Sequence, residues 1–359
     1  MICNMLNMKY PIIQAGMAGG PTTPELVAAV SEAGALGTLG AGYMSPQQIS
    51  DAIRDIQERT DAPFAVNLFL PQQHELYEGS ILNMQRHLNK YRARLGMSEV
   101  NTVPNSQDLF EQQLEIVVAS GVKIVSFTFD APKKSLVDQL HASEITVMAT
   151  ATTVKEAVQL ELCGVDVIVA QGSEAGGHRG TFLDVHNEVC IGTMALIPQV
   201  VDAVSCPVIA AGGIMDGRGM AAGLTLGASA VQLGTAFLTV NESGANKIHR
   251  KAILASSDTD TKITKAFSGK SARGFKNEMM LELETICDEF PPYPIQHVLT
   301  SDIRKEAARQ GDKEMISMWA GQASPLAQER SASELVRSLV EEFEDALRKG
   351  ALKLSSPSV

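Results

Sequence analysis

No stretch of this 359-residue sequence reaches the run of about eighteen apolar residues that a membrane span needs. Positive charge is not in surplus either. With 41 acidic and 30 basic side chains the net charge is −11. That argues against a nucleic-acid or anionic-membrane surface, because both need clustered basic residues. The start, MICNMLNMKY, lacks the basic head and apolar run of a signal peptide. Cysteine is sparse: Cys3, Cys163, Cys190, Cys206 and Cys287 are odd in number and never spaced C-x-x-C. A disulfide framework or zinc site is not expected; buried free thiols in a reducing compartment are, and with them a cytoplasmic location. Metal-ligating spacing of histidines and carboxylates is also missing, so no metal is expected. No low-complexity linker divides the chain, so no independently folding second domain is expected.

What is present is a rhythm. A short β-branched apolar run, a glycine-rich break and an amphipathic helix recur along the first two-thirds. The runs are PIIQAG (11–16), LGTLGAG (36–42), FAVNLFL (64–70), KIVSFTF (123–129), ITVMAT (145–150), DVIVAQG (166–172), PVIAAGG (207–213) and AVQLGT (230–235). Capping boxes are expected at Thr22–Glu25, at Ser45–Gln48 behind Pro46, and at Thr153–Glu156. Near-continuous apolarity, rather than alternation, marks strands buried on both faces of a parallel sheet. Eight such units in about 230 residues fit a (β/α)8 TIM barrel, with a doubly wound sheet as the alternative. The barrel core is expected over 1–240, with a helical insertion after strand three (71–106). A second insertion after strand eight (241–330) reads as a lid on the substrate side. Residues 331–359 read as an amphipathic helix, Ser333–Lys349, followed by a disordered tail, SSPSV. Its apolar face carries Leu335, Val336, Leu339, Val340, Phe343 and Leu347.

The glycines point to a site. In such barrels phosphate binds in the loops after strands seven and eight, where this chain has Gly212 and Gly213, then Gly234 and Thr235. Free backbone N–H groups and a helix N-terminus there would favour a phosphate. GRGMAAG (217–223) loosely matches a dinucleotide fingerprint. It lies too far beyond its strand, however, and no acid follows at the required distance. Asp216 reads as a helix cap and these glycines as close helix packing. AQGSEAGGHRG (170–180) follows strand six, on the same face, and its glycines fit neither helix nor strand easily. Its His178 suits a general base near neutral pH; a surface-loop histidine is the plainer alternative. Glu174 either orients a partner or is solvated. The other six histidines (74, 87, 141, 186, 249 and 297) lie in no such constellation and receive no role.

PIIQAGMAG (11–19), VNLF (66–69), AQGSEAGGHRG (170–180), PVIAAGGIMDGRG (207–219), VQLGTAFL (231–238) and AFSGKSARG (266–274) together resemble the flavin-dependent nitronate monooxygenases, formerly 2-nitropropane dioxygenases. The resemblance implies a TIM barrel holding FMN without a covalent bond. Gln14, Asn67 and Gln171 would lie near the isoalloxazine. Gly176, Gly212, Gly213, Gln232, Leu233, Gly234 and Thr235 would line the ribityl phosphate or its approach. His178 would be the catalytic base. The implied chemistry is proton abstraction beside a nitro group, one-electron transfer from the nitronate to FMN, and reoxidation by O2, yielding a carbonyl compound and nitrite. Met17 and Phe69 would form an apolar pocket for small alkyl nitronates or simply pack in the core. The expected partners are a small-molecule nitronate and O2, with homo-oligomerisation open. NADH-dependent enoyl-acyl-carrier-protein reductases with flavin also carry EAGGH, and quinone reductases of the same superfamily are a third reading. Arg179 and MWAGQ (318–322) favour the monooxygenase. A ligand-free structural barrel would not need paired glycine loops.

Overall fold

The computed structural model describes residues 2–72, 77–103, 108–183, 189–286 and 290–355, with side chains to residue 352. The strands in chain order are β1 (Ile12–Gln14), β2 (Gly37–Gly40), β3 (Phe64–Phe69), β4 (Ile124–Thr128), β5 (Thr146–Ala151), β6 (Val167–Gln171), β7 (Gly177–His178), β8 (Val208–Ala211), β9 (Ala230–Leu233), β10 (Thr261–Thr264) and β11 (Ala272–Phe275). Eight of them form one parallel sheet in the order β1-β9-β8-β6-β5-β4-β3-β2. A parallel bridge between Ile13 and Leu36 joins its two ends. The sheet is a closed (β/α)8 barrel, as the eight apolar runs predict.

The helices are α1 (Ile2–Met5), α2 (Pro24–Glu32), α3 (Pro46–Arg59), α4 (Glu78–Arg94), α5 (Phe110–Ala119), α6 (Lys134–Ala142), α7 (Val154–Leu162), α8 (Thr193–Ala203), α9 (Gly217–Thr225), α10 (Thr235–Leu238), α11 (Lys247–Leu254), α12 (Glu278–Ile286), α13 (Ile295–Gln310) and α14 (Ala332–Ser355). Strand residues are buried on both faces because each strand lies between the barrel interior and a shell of helices. Ile13, Leu36, Ala65, Ile124, Met148, Val167, Ile209 and Ala230 fill the interior, and Ile2 and Leu6 close its N-terminal end. Alternate residues such as Val66, Val125, Val147 and Ile168 face outward against the helices.

Local signals hold with adjustments. The Ser45–Gln48 box is complete in both directions. The first box is shifted by one residue: Thr23 caps α2, because the Thr22 hydroxyl is used inside, donating to Met17 O and accepting from Gly40 N. The third is half a box. Thr153 caps α7, but Glu156 turns inward to accept from Thr152, Phe182 and Leu183. The cysteines are not the buried thiols expected. Cys190 is exposed, and Cys3, Cys163 and Cys206 are half-buried at helix ends and loops rather than in strands. Cys287 and the last four residues of the SSPSV tail fall outside the described residues; its first, Ser355, ends α14.

Both insertions contain helix. In α4, Arg92 is 1% exposed rather than solvated. Its guanidinium binds Asp302 (2.7 Å) and Leu299 O (2.9 Å) on α13, and Gln85 and Asn89 on its own helix. This network ties α4 to the helix that forms one wall of the site. The C-terminal helix packs on α9 and α2, burying Leu335, Val336 and Leu339, while Leu347 is exposed. Gly217 permits that approach, because a Cβ there would lie 2.2 Å from Phe343 N.

Candidate active site

A cavity of about 810 Å³ opens at the C-terminal ends of the barrel strands, within the size range of cofactor sites. Of the ten residues expected to hold cofactor, eight line it: Asn67, Gln171, Gly176, Gly212, Gly213, Gln232, Gly234 and Thr235. Gln14 and Leu233 do not. Gln14 is fully buried, and its amide pairs with the backbone of Thr38 across the β1–β2 seam (3.0 and 3.3 Å), so it joins the barrel ends. Leu233 packs in the helix-side core. Met17 and Phe69 both line the cavity.

His178 also lines it, and it lies on a strand. Gly177 and His178 pair antiparallel with Arg273 and Ala272 of β11, forming a small second sheet with β10. The pairing overrides the glycine signal because its partner lies almost a hundred residues away in sequence. The segment is clamped from several sides. Gln171 donates to His178 O (3.0 Å) and accepts from Gly180 N (2.8 Å). Arg179 is buried with Nη1 on Gln171 O and Gly172 O. Lys270 Nζ donates to Thr181 O (2.7 Å). Gly176 is required by close approach, since a Cβ there would sit 2.5 Å from Gly321 N.

The imidazole of His178 contacts Ser268 Oγ through Nε2 at 2.9 Å. Phe129, Tyr293 and Trp319 surround it, with ring centroids at 5.7, 5.9 and 5.4 Å. Phe129 holds its backbone at φ 86°, a conformation a bulky residue adopts only where its surroundings impose it. Burial, then Lys270 and Arg304, push the His178 pKa down to about 3. The ring is therefore neutral at physiological pH and has an acceptor nitrogen.

Also on the cavity wall, Gly213 takes φ +71°, which disfavours any side chain. Neither the Gly213 nor the Gly234 N–H donates to another described residue. A Cβ on Gly234 would meet nothing closer than 3.7 Å, so the protein's own packing does not demand a glycine there. The N-terminus of α9 is already occupied by Asp216, which accepts from Arg218 N and Gly219 N, and by Glu342, which accepts from Gly217 N. Asp216 is the helix cap that the sequence predicts, and these N–H groups are not free for a phosphate. Glu174 is an orienter: its carboxylate accepts from Thr193 N, and the Thr193 hydroxyl lies 2.9 Å from both Glu174 Oε2 and Gly212 O, sharing its one proton between them.

No aspartate or glutamate lines the cavity among the described residues, while Arg304 and Lys305 do. An anionic cofactor and an anionic substrate both fit that charge balance.

The chain matches the nitronate monooxygenase family over residues 2–342. It belongs to that family. A protein of Staphylococcus saprophyticus named "Probable nitronate monooxygenase" is 45% identical over 97% of this chain and 98% of its own. Among solved structures, the nitroalkane oxidase from Streptomyces ansochromogenes superposes with a TM-score of 0.90 at 37% identity, covering 97% of this chain and 99% of that one. FabK from Thermotoga maritima superposes at 0.77 with 29% identity, covering 97% of each chain. Nitronate monooxygenases are flavin-dependent oxidoreductases, and in this chain the glycine loops, the Asn67 and Gln171 amides and His178 line one cavity.

Several cavity residues carry no advance signal in a family-blind reading. His249 on α11 and His297 on α13 line the cavity, yet each lies on an ordinary amphipathic helix. Ser126 in the middle of β4, and Thr128 and Thr150 near the C-terminal ends of β4 and β5, also line the cavity; Asn67 donates to the first two (3.2 and 3.1 Å). The one available signal is a small polar residue within a buried apolar strand.

Proposed function

We propose that this protein is an FMN-dependent nitronate monooxygenase that converts alkyl nitronates and O2 to carbonyl compounds and nitrite. The observation that carries the reading is a neutral histidine in an aromatic chamber, on a cavity that has no acid among its described lining residues and that is also lined by Gly213 and Gly234, whose N–H groups donate to no described residue.

The residues fit the cofactor. Gly213 and Gly234 would donate backbone N–H groups to the phosphate, with Glu174 and Thr193 bracing the Gly212 carbonyl next to it. Asn67, Gln171 and Gln232 would edge the ring system, while Leu233 would support the loop from behind and Gln14 would hold the seam. Bound FMN supplies the electron acceptor for the substrate and the means of passing those electrons to oxygen.

His178 would accept a proton from the substrate carbon. Its depressed pKa makes it available but weak as a base, because proton transfer is most efficient when the two pKa values are matched. A nitronate has already lost that proton and carries the negative charge that Arg304 and Lys305 favour. The nitronate is therefore the preferred substrate, and the aromatic walls exclude water from it. The extension over 241–330 supplies Ser268, Tyr293, Arg304 and Trp319 to this chamber, consistent with a substrate-side role.

Purified protein should be yellow, release FMN on heating, and produce nitrite from ethyl and propyl-2-nitronate in air. The similarity to FabK makes NADH the proper control. Rapid anaerobic bleaching of the flavin by NADH, with no nitrite from any nitronate, would replace this reading with a reductase.

A further inference from the structure

His178 is not the only imidazole in the chamber. His297 lies in the first turn of α13 and lines the same cavity. Its ring stacks on Tyr43, with centroids 4.2 Å apart and planes 13° from parallel. Tyr293 stands between the two histidines, 5.9 Å from His178 and 6.3 Å from His297.

The tautomer of His297 is set by its neighbour. Arg304 Nη2 points at His297 Nδ1 from 3.3 Å and donates to the carbonyl of the same residue at 2.9 Å. Arg304 is held in place by Thr300 Oγ1 (3.1 Å) and Ser317 Oγ (3.3 Å). A guanidinium has donors and no acceptor, so the nitrogen facing it must present its lone pair. The proton of a neutral ring then resides on Nε2. Burial, followed by Arg304, His178 and Lys305, pushes the His297 pKa to about 2, so the ring is neutral. No described residue accepts from Nε2.

A neutral imidazole with its single proton directed by a neighbour is a donor that adds no charge of its own. It can stabilise an oxyanion without handing over the proton. We propose that His297 donates its Nε2–H to an anionic oxygen of the bound nitronate, as the donor counterpart of His178. This rests on the nitronate reading above. His297 donates at the nitro end, His178 would accept the carbon proton only when the substrate arrives as the neutral nitroalkane, and Arg304 acts as a positioning residue that keeps the His297 proton on the correct nitrogen.

The test compares His297→Phe, which keeps a ring against Tyr43 and removes the donor, with His297→Gln, which restores an N–H at similar reach. In the FMN-loaded enzyme, His297→Phe should lower kcat/KM for ethyl nitronate by about ten- to a hundredfold, the range for a hydrogen bond to a charged group, and His297→Gln should recover most of it. Independently, ¹⁵N-histidine NMR of the holoenzyme should show His297 as the neutral Nε2–H tautomer with no titration down to about pH 5, and nitrite ion should shift its Nε2 resonance. An unchanged kcat/KM in His297→Phe, beside a wild type that releases nitrite, overturns the proposal. So does an Nδ1–H tautomer or a titration near the ordinary histidine value. A wild type that makes no nitrite from any nitronate sinks the proposed function instead, and the tautomer and the nitrite-induced shift still decide whether His297 is an anion donor.

Discussion

His178 stays unprotonated because burial, Lys270 and Arg304 all oppose a second proton. That separates two substrates differing by one hydrogen. A neutral nitroalkane needs a base within hydrogen-bond reach, whereas a nitronate needs only binding and alignment. In His178→Ala, FMN should remain bound and turnover of a pre-formed nitronate should fall only modestly. Nitrite release from the neutral nitroalkane should fall by about a hundredfold. Equal losses on both, measured in parallel nitrite assays, would show that His178 aligns substrate and takes no proton. His178 was legible because glycines crowd around it. Its Ser268 contact was not, since residues ninety positions apart meet only through the β7–β11 pairing. Gln14 shows the converse: a polar residue in a family-like motif whose amide is engaged by the backbone of Thr38 and Ala15.

Strands and glycine loops transmit function differently. The eight barrel strands were legible because burial on both faces forces β-branched apolar runs, and each run in the sequence became a strand. The small sheet was not legible. Gly177 and His178 have no strand propensity and pair only because Arg273 and Ala272 arrive from a distant loop. Cap positions slipped for a related reason, as with Thr22, whose hydroxyl is drawn inward by Gly40 N. The two loops that face the proposed phosphate yield contrasting predictions. Gly234 has φ −109°, and a Cβ there would make only ordinary contacts, with Ala15 and Met17 at 3.7 and 3.8 Å, so Gly234→Ala should fold with an unchanged melting temperature when flavin is removed. Any rise in its dissociation constant for FMN, read by fluorescence titration, must then come from the ligand. Gly213→Ala combines φ +71° with a 3.2 Å approach to Glu174 Cβ, and should lose about 1 kcal/mol of stability as well as flavin affinity. Identical FMN affinity in wild type and Gly234→Ala would mean that this loop is only a turn.

Across the whole molecule, charge is segregated. The chain carries −11, yet the cavity has no acid among its described lining residues, and three of its side chains are histidines that burial keeps neutral. His178, His249 and His297 have pKa values pushed down to about 3, 4 and 2; His249 Nε2 donates to Trp319 O (2.9 Å). On unfolding, each returns to an ordinary value near about 6.5 and takes up a proton as the pH falls below it. The unfolded state then binds more protons than the native state, so stability is full above about pH 7 and is lost as the pH falls through 6.5 toward the folded values. At pH 5 the loss should reach about 2 kcal/mol for each of the three. Carboxylates with depressed pKa values, such as Asp216, act in the same direction but only below their own unfolded value near about 4, so the window between pH 6.5 and 5 belongs to the histidines. Urea unfolding of the holoenzyme at fixed excess FMN should therefore show a free energy that declines steeply across that window. In His249→Gln the decline should be shallower by one histidine's share, whatever the variant does to stability at pH 8. A flat profile from pH 7.5 to 5 in the wild type would mean that the cavity admits protons to these rings without opening, and that their neutrality does not constrain the fold.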